Sequence, residues 1–291
     1  MVLAERCEAW EKEHPNKDDL FFDFPAVTGE NYNCLFLEIL LSLAPVPVGT
    51  DPECAFRTWL ASDAAIDASF IFRRLCHRAY MRRGESIQKA QLKGLRFSPD
   101  NKAQVWRHWY TTLNQMLADM PPEERASIHV GPLPKSITIA GEWYLGVPEY
   151  SAAPDVALKL IKLFTTHEAE SDRLRLGVGL PTRESFYTGT SARSSISPLF
   201  AMDSTVLRGL IKNAFRRSAV GCYSKFSTLV TLYLQDLMEC SSDNAQTLRG
   251  EIRSRIDDLQ RHLQAIRVDN CRLCTPLKRQ PGSRSQIAAR E

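Results

Sequence analysis

The sequence predicts a helix-rich α/β protein, and three observations support this fold class. Several segments repeat apolar residues at the i, i+3, i+4 spacing that is typical of amphipathic helices. Two segments in the middle of the chain, 127–130 and 137–147, have instead the pattern of short strands. The 291 residues are 44% hydrophobic and 24% charged, a globular composition that allows one large domain or two of ordinary size.

The first predicted elements lie before residue 120. Extended chain around Phe22 and Asp23 precedes a helix over 31–43, which ends before Pro45 and Pro47 because proline cannot continue a helical hydrogen-bond pattern. Further helices are predicted from about residue 51, over 67–92 and over 99–118, the last with Trp106 and Trp109 on one face.

The second half of the chain is predicted to be mainly helical. Apolar residues of the last helix, 243–267, recur at steps of 4, 4, 3, 4 and 3, a stripe of the heptad type. Because this stripe spans under three heptads, we expect the helix to pack on its own domain rather than in a coiled-coil dimer. Other predicted helices cover 151–164, 203–217 and 222–239, and a loop covers 177–183.

Composition excludes several classes of protein. With 37 basic and 34 acidic residues the net charge is only +3, so no nucleic-acid partner is expected. No run of about 18 apolar residues indicates a membrane span. The amino terminus lacks the basic and apolar regions of a signal peptide, which predicts a cytoplasmic protein, or an extracellular one if the true start lies upstream.

Catalytic, metal and cofactor motifs are not evident. Cys271 and Cys274 form a lone C-x-x-C pair without the second pair that a four-cysteine zinc site requires. Most of the eight cysteines lie in apolar runs and are expected to be small buried hydrophobes. There is no phosphate-binding loop and no nucleophile elbow. We therefore predict no catalytic residue, no metal ligand and no cofactor.

The aromatic residues suggest a ligand. Sugar rings have apolar faces that stack on aromatic rings, while their hydroxyl groups require polar partners. Taken singly, each tryptophan is more often a core residue than a ligand contact. The candidates form two groups: Trp106 and Trp109 with Arg107 between them, and Trp143 and Tyr144 flanked by Gly141 and Gly146.

Six further segments are informative because of their order along the chain. They are Glu30 to Ser42, Phe97 to Trp109, Leu133 to Ser151, Ala157 to Phe164, Gly179 to Tyr187, and Arg217 to Ser227. They include Gly141-Glu-Trp143 and Gly179-Leu-Pro-Thr-Arg183. In this order they resemble family-1 extracellular solute-binding proteins, the sugar-binding components of ABC transporters. The resemblance covers residues from about 28 to 265.

The resemblance implies a two-lobed fold of the type II periplasmic-binding-protein class, truncated to mostly its carboxy-terminal lobe, with a ligand between the lobes. It implies that Trp143 stacks on a sugar ring and that Arg107 and Trp109 line the opposite wall. Arg183 would lie near the return to the hinge, and the segment that contains Asn31 would face the ligand. Glu142 departs from the family, which has a glycine at that position.

These arguments lead to a predicted organisation and two hypotheses of function. We expect an amino-terminal extension over 1–27, a truncated solute-binding domain over 28–270 and a disordered basic tail over 271–291. The first hypothesis is a divergent, non-catalytic carbohydrate-binding module with a sugar or oligosaccharide ligand. The second is an intracellular interaction protein that reuses the lobe, with a protein partner at the surface left by the missing lobe.

Overall fold

The computed structural model describes residues 2–14, 22–23, 29–44, 59–60, 62–84, 105–126, 128–131, 133, 135, 137–141, 144–188, 204–215, 223–240, 242 and 244–265. In chain order the elements are α1 Val2–Glu13, β1 Phe22–Asp23, α2 Gly29–Leu43, α3 Asp63–Gly84, β2 Val105–Trp106, α4 Tyr110–Asp119, α5 Pro122–Arg125, α6 Pro154–Phe164, α7 His167–Arg175, α8 Ser185–Thr188, α9 Ser204–Lys212, α10 Tyr223–Met238 and α11 Ala245–Ala265.

The chain forms two compact units, and neither is continuous in sequence. Unit 1 consists of residues 1–27 and 74–217, and unit 2 consists of residues 28–73 and 218–291. The polypeptide therefore crosses from one unit to the other three times.

Unit 2 is built around α2, whose side chains from Asn31 to Leu41 are all buried. This helix packs on α10, which in turn packs on α11. At the centre, the ring of Phe36 meets those of Phe72 and Tyr233 edge-on, with centroids 6.2 and 6.4 Å apart, a favoured aromatic geometry. The buried hydroxyl groups of Ser69 and Tyr233 lie 2.6 Å apart and hydrogen-bond to each other.

The predicted packing of the last helix is confirmed. The stripe of α11 is buried within unit 2, and Arg249 and Arg253 of the same helix reach Asp67 and Asp63 of α3 at 2.6 and 2.9 Å. The buried stripe residues are Leu248, Ile252, Ile256, Leu259 and Leu263.

Unit 1 contains the strands. The strands β1 and β2 are parallel, with Phe22 opposite Val105 and Asp23 opposite Trp106. A second parallel contact joins Ile139 to Phe215. In the same unit, α6 packs on α7 and α8 packs on α9. Parallel strands are the arrangement found in α/β proteins, in agreement with the predicted fold class.

The predicted helices over 31–43, 151–164 and 222–239 are confirmed as α2, α6 and α10 within three residues at each end. Two others have different bounds: the helix predicted over 67–92 begins earlier, at Asp63, and the one predicted over 203–217 ends at Lys212. The start of the predicted helix near residue 51 and the Cys271–Cys274 pair lie outside the described residues.

The prediction of one helix over 99–118 is wrong for residues 105–109. Val105 and Trp106 form β2, and Trp109 is an extended residue that caps the start of α4, with φ −71° and ψ 149°. Trp106 and Trp109 therefore do not share a helical face. The spacing of the apolar residues imitated a helix, but the pairing of β2 with β1, which is distant in sequence, decided the conformation.

The two strand predictions fare differently. Residues 128–130 form no strand, so that prediction is wrong. Within 137–147, Ile139 makes the bridge to Phe215, whereas residues 144–147 have no regular structure. Alternating apolar residues indicate which side of a strand could be buried, but a strand also needs a neighbour to pair with. Within the described parts of the two segments, Ile139 is the residue that has such a neighbour.

Candidate ligand-binding site

Three of the predicted site residues meet in unit 1, beside the start of α4. Arg107 follows β2 directly and is buried. Its guanidinium carbon lies 4.8 Å from the centroid of the Trp109 ring, which is a cation–π contact. Trp109 itself is only half-buried. The sequence pattern thus places an arginine and an indole together through the extended turn between β2 and α4.

Gly141 completes this group from a distant part of the chain. A Cβ atom at position 141 would lie 2.8 Å from Cζ3 of Trp109, so the backbone approaches the indole as only glycine allows. The amide of Ala140 donates to the carbonyl of Phe215 at 2.9 Å, and the amide of Phe215 donates to the carbonyl of Thr138 at 2.7 Å. These bonds hold the segment that carries Gly141 against Trp109.

The end of α7 is also fixed against α4. The amides of Gly177 and Val178 donate to the carbonyls of Leu174 and Arg173 at 3.1 Å each, the two bonds of a Schellman turn. Gly177 has a left-handed φ of 69°, and a Cβ atom there would lie 1.9 Å from Nδ2 of Asn114 in α4. Glycine is therefore required at position 177 by both its conformation and its neighbour.

The loop that follows is held by a buried carboxylate. Glu170 of α7 is only 2% exposed. It accepts hydrogen bonds from the amide and hydroxyl of Thr182, at 3.0 and 2.6 Å, and from the amide of Arg183 at 3.3 Å. A carboxylate with several donors is a strong anchor for backbone, so Glu170 sets the course of the loop over 179–183.

The side chain of Arg183, another predicted site residue, is half-exposed and makes two contacts within the protein. Its Nη2 donates to the carbonyl of Thr165 at 2.6 Å, and its Nε lies 3.8 Å from the carboxylate of Glu170. Nearby, Arg173 donates to the carbonyl of Phe164 at 2.5 Å. Both guanidinium groups therefore bind the carboxy-terminal end of α6, where positive charge is favourable.

Tyr187 links the loop to α4. Its hydroxyl donates to the carbonyl of Pro181 at 2.7 Å, and its ring belongs to a buried cluster with Leu174, Phe186 and Leu207. Tyr110 of α4 packs against this cluster. Burial raises the pKa of the Tyr187 hydroxyl, with further contributions from Tyr110 and Glu170, so the hydroxyl stays a donor.

The other predicted site residues are dispersed. Trp106 is half-buried in β2, and Tyr144 is 79% exposed. Asn31 is buried in α2 of unit 2. Trp143 lies outside the described residues. The structure thus brings Arg107, Trp109 and Gly141 together and places Arg183 on a loop fastened to the same unit.

Sequence analysis missed a polar cluster between α2 and α10. The carboxylate of Glu30 accepts from the hydroxyls of Tyr223 and Ser227 at 2.8 and 3.1 Å. The amide of Asn33 donates to the carbonyl and hydroxyl of Ser227 at 3.0 and 2.6 Å. Only their helical spacing could have signalled this cluster, because Tyr223 and Ser227 lie one turn apart in the sequence, as do Glu30 and Asn33.

Exposed apolar side chains concentrate in one stretch of unit 1. No residue of α6 is buried, although its apolar residues follow one side of the helix. The sequence predicted the amphipathic pattern, and the resemblance implied that residues 143–183 expose apolar surface. The exposed members of this stretch are Tyr144, Leu145, Tyr150, Val156, Leu158, Leu160, Leu163, Phe164, Leu176 and Val178.

The described residues contain no group of three or more histidine, cysteine, aspartate or glutamate side chains arranged to hold a metal ion. Within the same part of the chain, no helix combines the length and apolar character needed to cross a membrane. Four cysteines there, Cys7, Cys34, Cys76 and Cys240, are buried thiols outside any disulfide, as predicted for most of the cysteines.

Comparison with solved structures identifies a similar fold. The structure of maltose-bound MalE3 from T. maritima superposes with a TM-score of 0.62 at 18% sequence identity. The match covers 91% of this chain and 64% of MalE3, so the chain spans less than two thirds of that protein. No family model matches the sequence, and no curated protein matches it either. The likeness confirms the helix-rich, periplasmic-binding-protein-like fold class.

Proposed function

We propose that this chain is a divergent, non-catalytic carbohydrate-binding module of the solute-binding-protein type. One observation carries the proposal: Arg107, Trp109 and Gly141 come together in a fold like that of maltose-bound MalE3. An indole with an adjacent guanidinium offers both an apolar face and hydrogen-bond donors, the two requirements of a sugar ring with its hydroxyl groups.

The other predicted residues of unit 1 would extend this site. Trp143 follows Gly141 by two positions and is proposed as a second stacking ring. Tyr144, whose side chain is 79% exposed, and Trp106 of β2 are proposed as further aromatic contacts. Arg183 would supply donors for hydroxyl groups. Asn31, which belongs to unit 2, stays a prediction from the sequence. We expect weak affinity, because a few residues on one side of a ligand bury less of it than the ~70–90% typical of small-molecule sites.

The test is a calorimetric titration of the whole chain with maltose and maltotriose. Trp109→Ala and Trp143→Ala should each weaken binding by roughly 3- to 10-fold, the effect of losing one aromatic contact. Tyr150→Ala, which removes an aromatic ring that is 91% exposed and lies outside the proposed site, is the matched control. No heat at tens of millimolar sugar, or equal binding by all variants, would contradict the proposal.

A second candidate function has its own supporting observation. The exposed apolar side chains between residues 144 and 178 favour a protein-interaction module without a small-molecule ligand, since patches of this kind mark interaction sites. The two candidates depend on different residues. Loss of Trp109 should impair sugar binding alone. A charge on α6, as in Leu160→Glu, should impair only association with a protein partner. The same variant should reduce the fluorescence of a dye that binds apolar surface.

A further inference from the structure

The loop that ends at Arg183 is fixed at three consecutive residues. The carboxylate of Glu170 accepts two hydrogen bonds from Thr182 and one from the amide of Arg183. The hydroxyl of Tyr187 donates to the carbonyl of Pro181 at 2.7 Å. A buried carboxylate with several donors keeps a single arrangement, because rotation would leave those donors without an acceptor. The backbone that carries Arg183 therefore has little freedom.

The same loop is joined to α4, the helix that begins directly after Trp109. Tyr110, the first residue of α4, packs against the buried cluster that contains Tyr187. One turn later, Asn114 lies so close to the backbone of Gly177 that no Cβ atom would fit there. These two contacts hold the loop against the first two turns of α4. The loop consequently keeps a fixed position relative to the indole at the start of this helix.

The guanidinium of Arg183 has a defined orientation and spare donors. Its Nη2 donates to the carbonyl of Thr165 at 2.6 Å, and its Nε lies 3.8 Å from the carboxylate of Glu170. A guanidinium group has several N–H donors in a planar fork, and this side chain is 50% exposed. Donors therefore remain for the hydroxyl groups of a ligand, and Glu170 helps to set their direction.

Orientation of this kind affects affinity. A long side chain that moves freely must lose rotamer freedom when it binds a ligand, and this loss opposes binding. The contacts of Arg183 remove part of that freedom before a ligand arrives. Because Glu170 is only 2% exposed, it is too buried to contact a ligand itself. Any effect of Glu170 on affinity must therefore pass through the loop that it holds.

We propose that Glu170 is a positioning residue of the candidate carbohydrate site, where it holds Arg183 so that the guanidinium can donate to the hydroxyl groups of the ligand. The inference rests on the proposed carbohydrate-binding function and on Arg183 as one of its residues. It adds to that site a residue that does not touch the ligand and that sequence analysis did not single out.

The experiment is a double-mutant cycle, measured by calorimetric titration of the whole chain with maltotriose. Arg183→Ala and Glu170→Ala should each weaken binding by roughly 10-fold, which is at the lower end for a hydrogen bond to a charged group. The double variant should bind no more weakly than Arg183→Ala, because Glu170 acts through that arginine. Combined with Trp109→Ala, the effect of Glu170→Ala should multiply, since those two contributions are independent.

The matched control is Asp172→Ala. This variant removes an exposed carboxylate of the same helix, one that pairs with Arg175 instead of the loop. It should bind maltotriose as the wild type does. Weakening equal to that of Glu170→Ala would attribute the effect to α7 as a whole and would contradict the positioning role.

Thr182 supplies a milder test that leaves the buried carboxylate in place. Thr182→Ala removes only the hydroxyl that donates to Glu170 at 2.6 Å, so helical circular dichroism should be unchanged. Binding should weaken by roughly 2- to 5-fold, the effect of one ordinary hydrogen bond. Thr182→Ser keeps a hydroxyl at this position and should restore the affinity of the wild type.

The positioning role is overturned if Arg183→Ala or Glu170→Ala binds maltotriose as the wild type does, or if the double variant binds more weakly than Arg183→Ala. It is also overturned if Thr182→Ser binds as weakly as Thr182→Ala. In all these results the wild type binds the sugar, so the proposed function stands. A wild type that binds neither maltose nor maltotriose ends the proposed function and the positioning role together.

Discussion

The two units use their apolar residues in opposite ways. Most of the buried apolar residues that the structure describes belong to unit 2, although it is the shorter unit. Among the exposed large apolar side chains, all but Leu43 and Leu232 belong to unit 1. Unit 2 therefore buries most of its apolar side chains in a core, whereas unit 1 leaves many of its large apolar side chains exposed.

The polar side chains of the two units also have different structural roles. In unit 2 the cluster around Glu30 joins two helices to each other, and Arg73 donates to the carbonyl of Cys240 at the end of α10 at 2.6 Å. In unit 1 Glu170 holds a loop rather than a helix. Unit 2 therefore derives its order from packed helices, whereas unit 1 derives much of its order from anchored loops.

The largest expected effect compares one leucine from each unit. Leu40→Ala removes a completely buried side chain of unit 2 and should lower the free energy of unfolding by about 3–5 kcal/mol. Leu160→Ala in unit 1 removes a side chain that is half-exposed and should change it by no more than about 0.5 kcal/mol. Urea denaturation followed by circular dichroism measures both. Similar losses of unfolding free energy in the two variants would contradict the difference in packing between the units.

An intermediate effect is expected at the loop anchor of unit 1. Glu170→Ala leaves the amide and hydroxyl of Thr182 and the amide of Arg183 without their acceptor, and should cost about 1–3 kcal/mol. Limited proteolysis should then cut within residues 177–184. The control is Glu168→Ala, which removes an exposed carboxylate two residues earlier in the same helix and should resist cleavage as the wild type does. Equal proteolysis of the two variants would show that Glu170 does not anchor the loop.

The smallest effect concerns pH. Burial raises the pKa of Tyr233 in unit 2, an effect opposed by the hydrogen bond between its hydroxyl and that of Ser69. The folded protein therefore retains the phenol proton above the ordinary value of 10.0, while the unfolded chain loses it. Stability is fully present below pH 10 and declines as the pH rises further.

Thermal unfolding at a series of pH values around and above 10 tests this sign. Tyr233→Phe should lower the midpoint by a constant amount below pH 10, through loss of the hydrogen bond to Ser69, and should show a shallower decline above it. Tyr187→Phe tests the corresponding group of unit 1. If the unfolding midpoint of Tyr233→Phe declines above pH 10 as steeply as that of the wild type, other groups cause the loss of stability at high pH.

Predictions from the sequence were correct where the helical periodicity of apolar residues extended over many residues, and they were wrong where it covered only a few. The helices α2, α10 and α11 repeat their apolar residues over 15 residues or more, so chance agreement with the helical period is small. Over 105–109 only a few residues carried the signal, and pairing with β1 prevailed. The helix α7 escaped prediction because it has few apolar residues, although Thr166 before an acidic first turn is a recognisable start signal.

The candidate site was predictable only in part. The proximity of Arg107 to Trp109 follows from their places in the sequence, but the approach of Gly141 depends on tertiary contacts through Phe215. The anchoring role of Glu170 depends on a loop that returns to α7. For α6, the pattern predicted which side is apolar, whereas whether that side is covered depends on what the rest of the chain supplies.

The discontinuity of unit 2 bears on how the chain emerges from the ribosome. The helix α2 is synthesised early, but its partner α10 begins only at Tyr223. At about 5–20 residues per second, translation of the intervening chain takes roughly 10–40 seconds. Throughout that interval the most apolar helix of the nascent polypeptide lacks α10, and the surface that α10 covers in unit 2 must be shielded by other means. A chaperone that binds apolar segments would meet this protein first at α2.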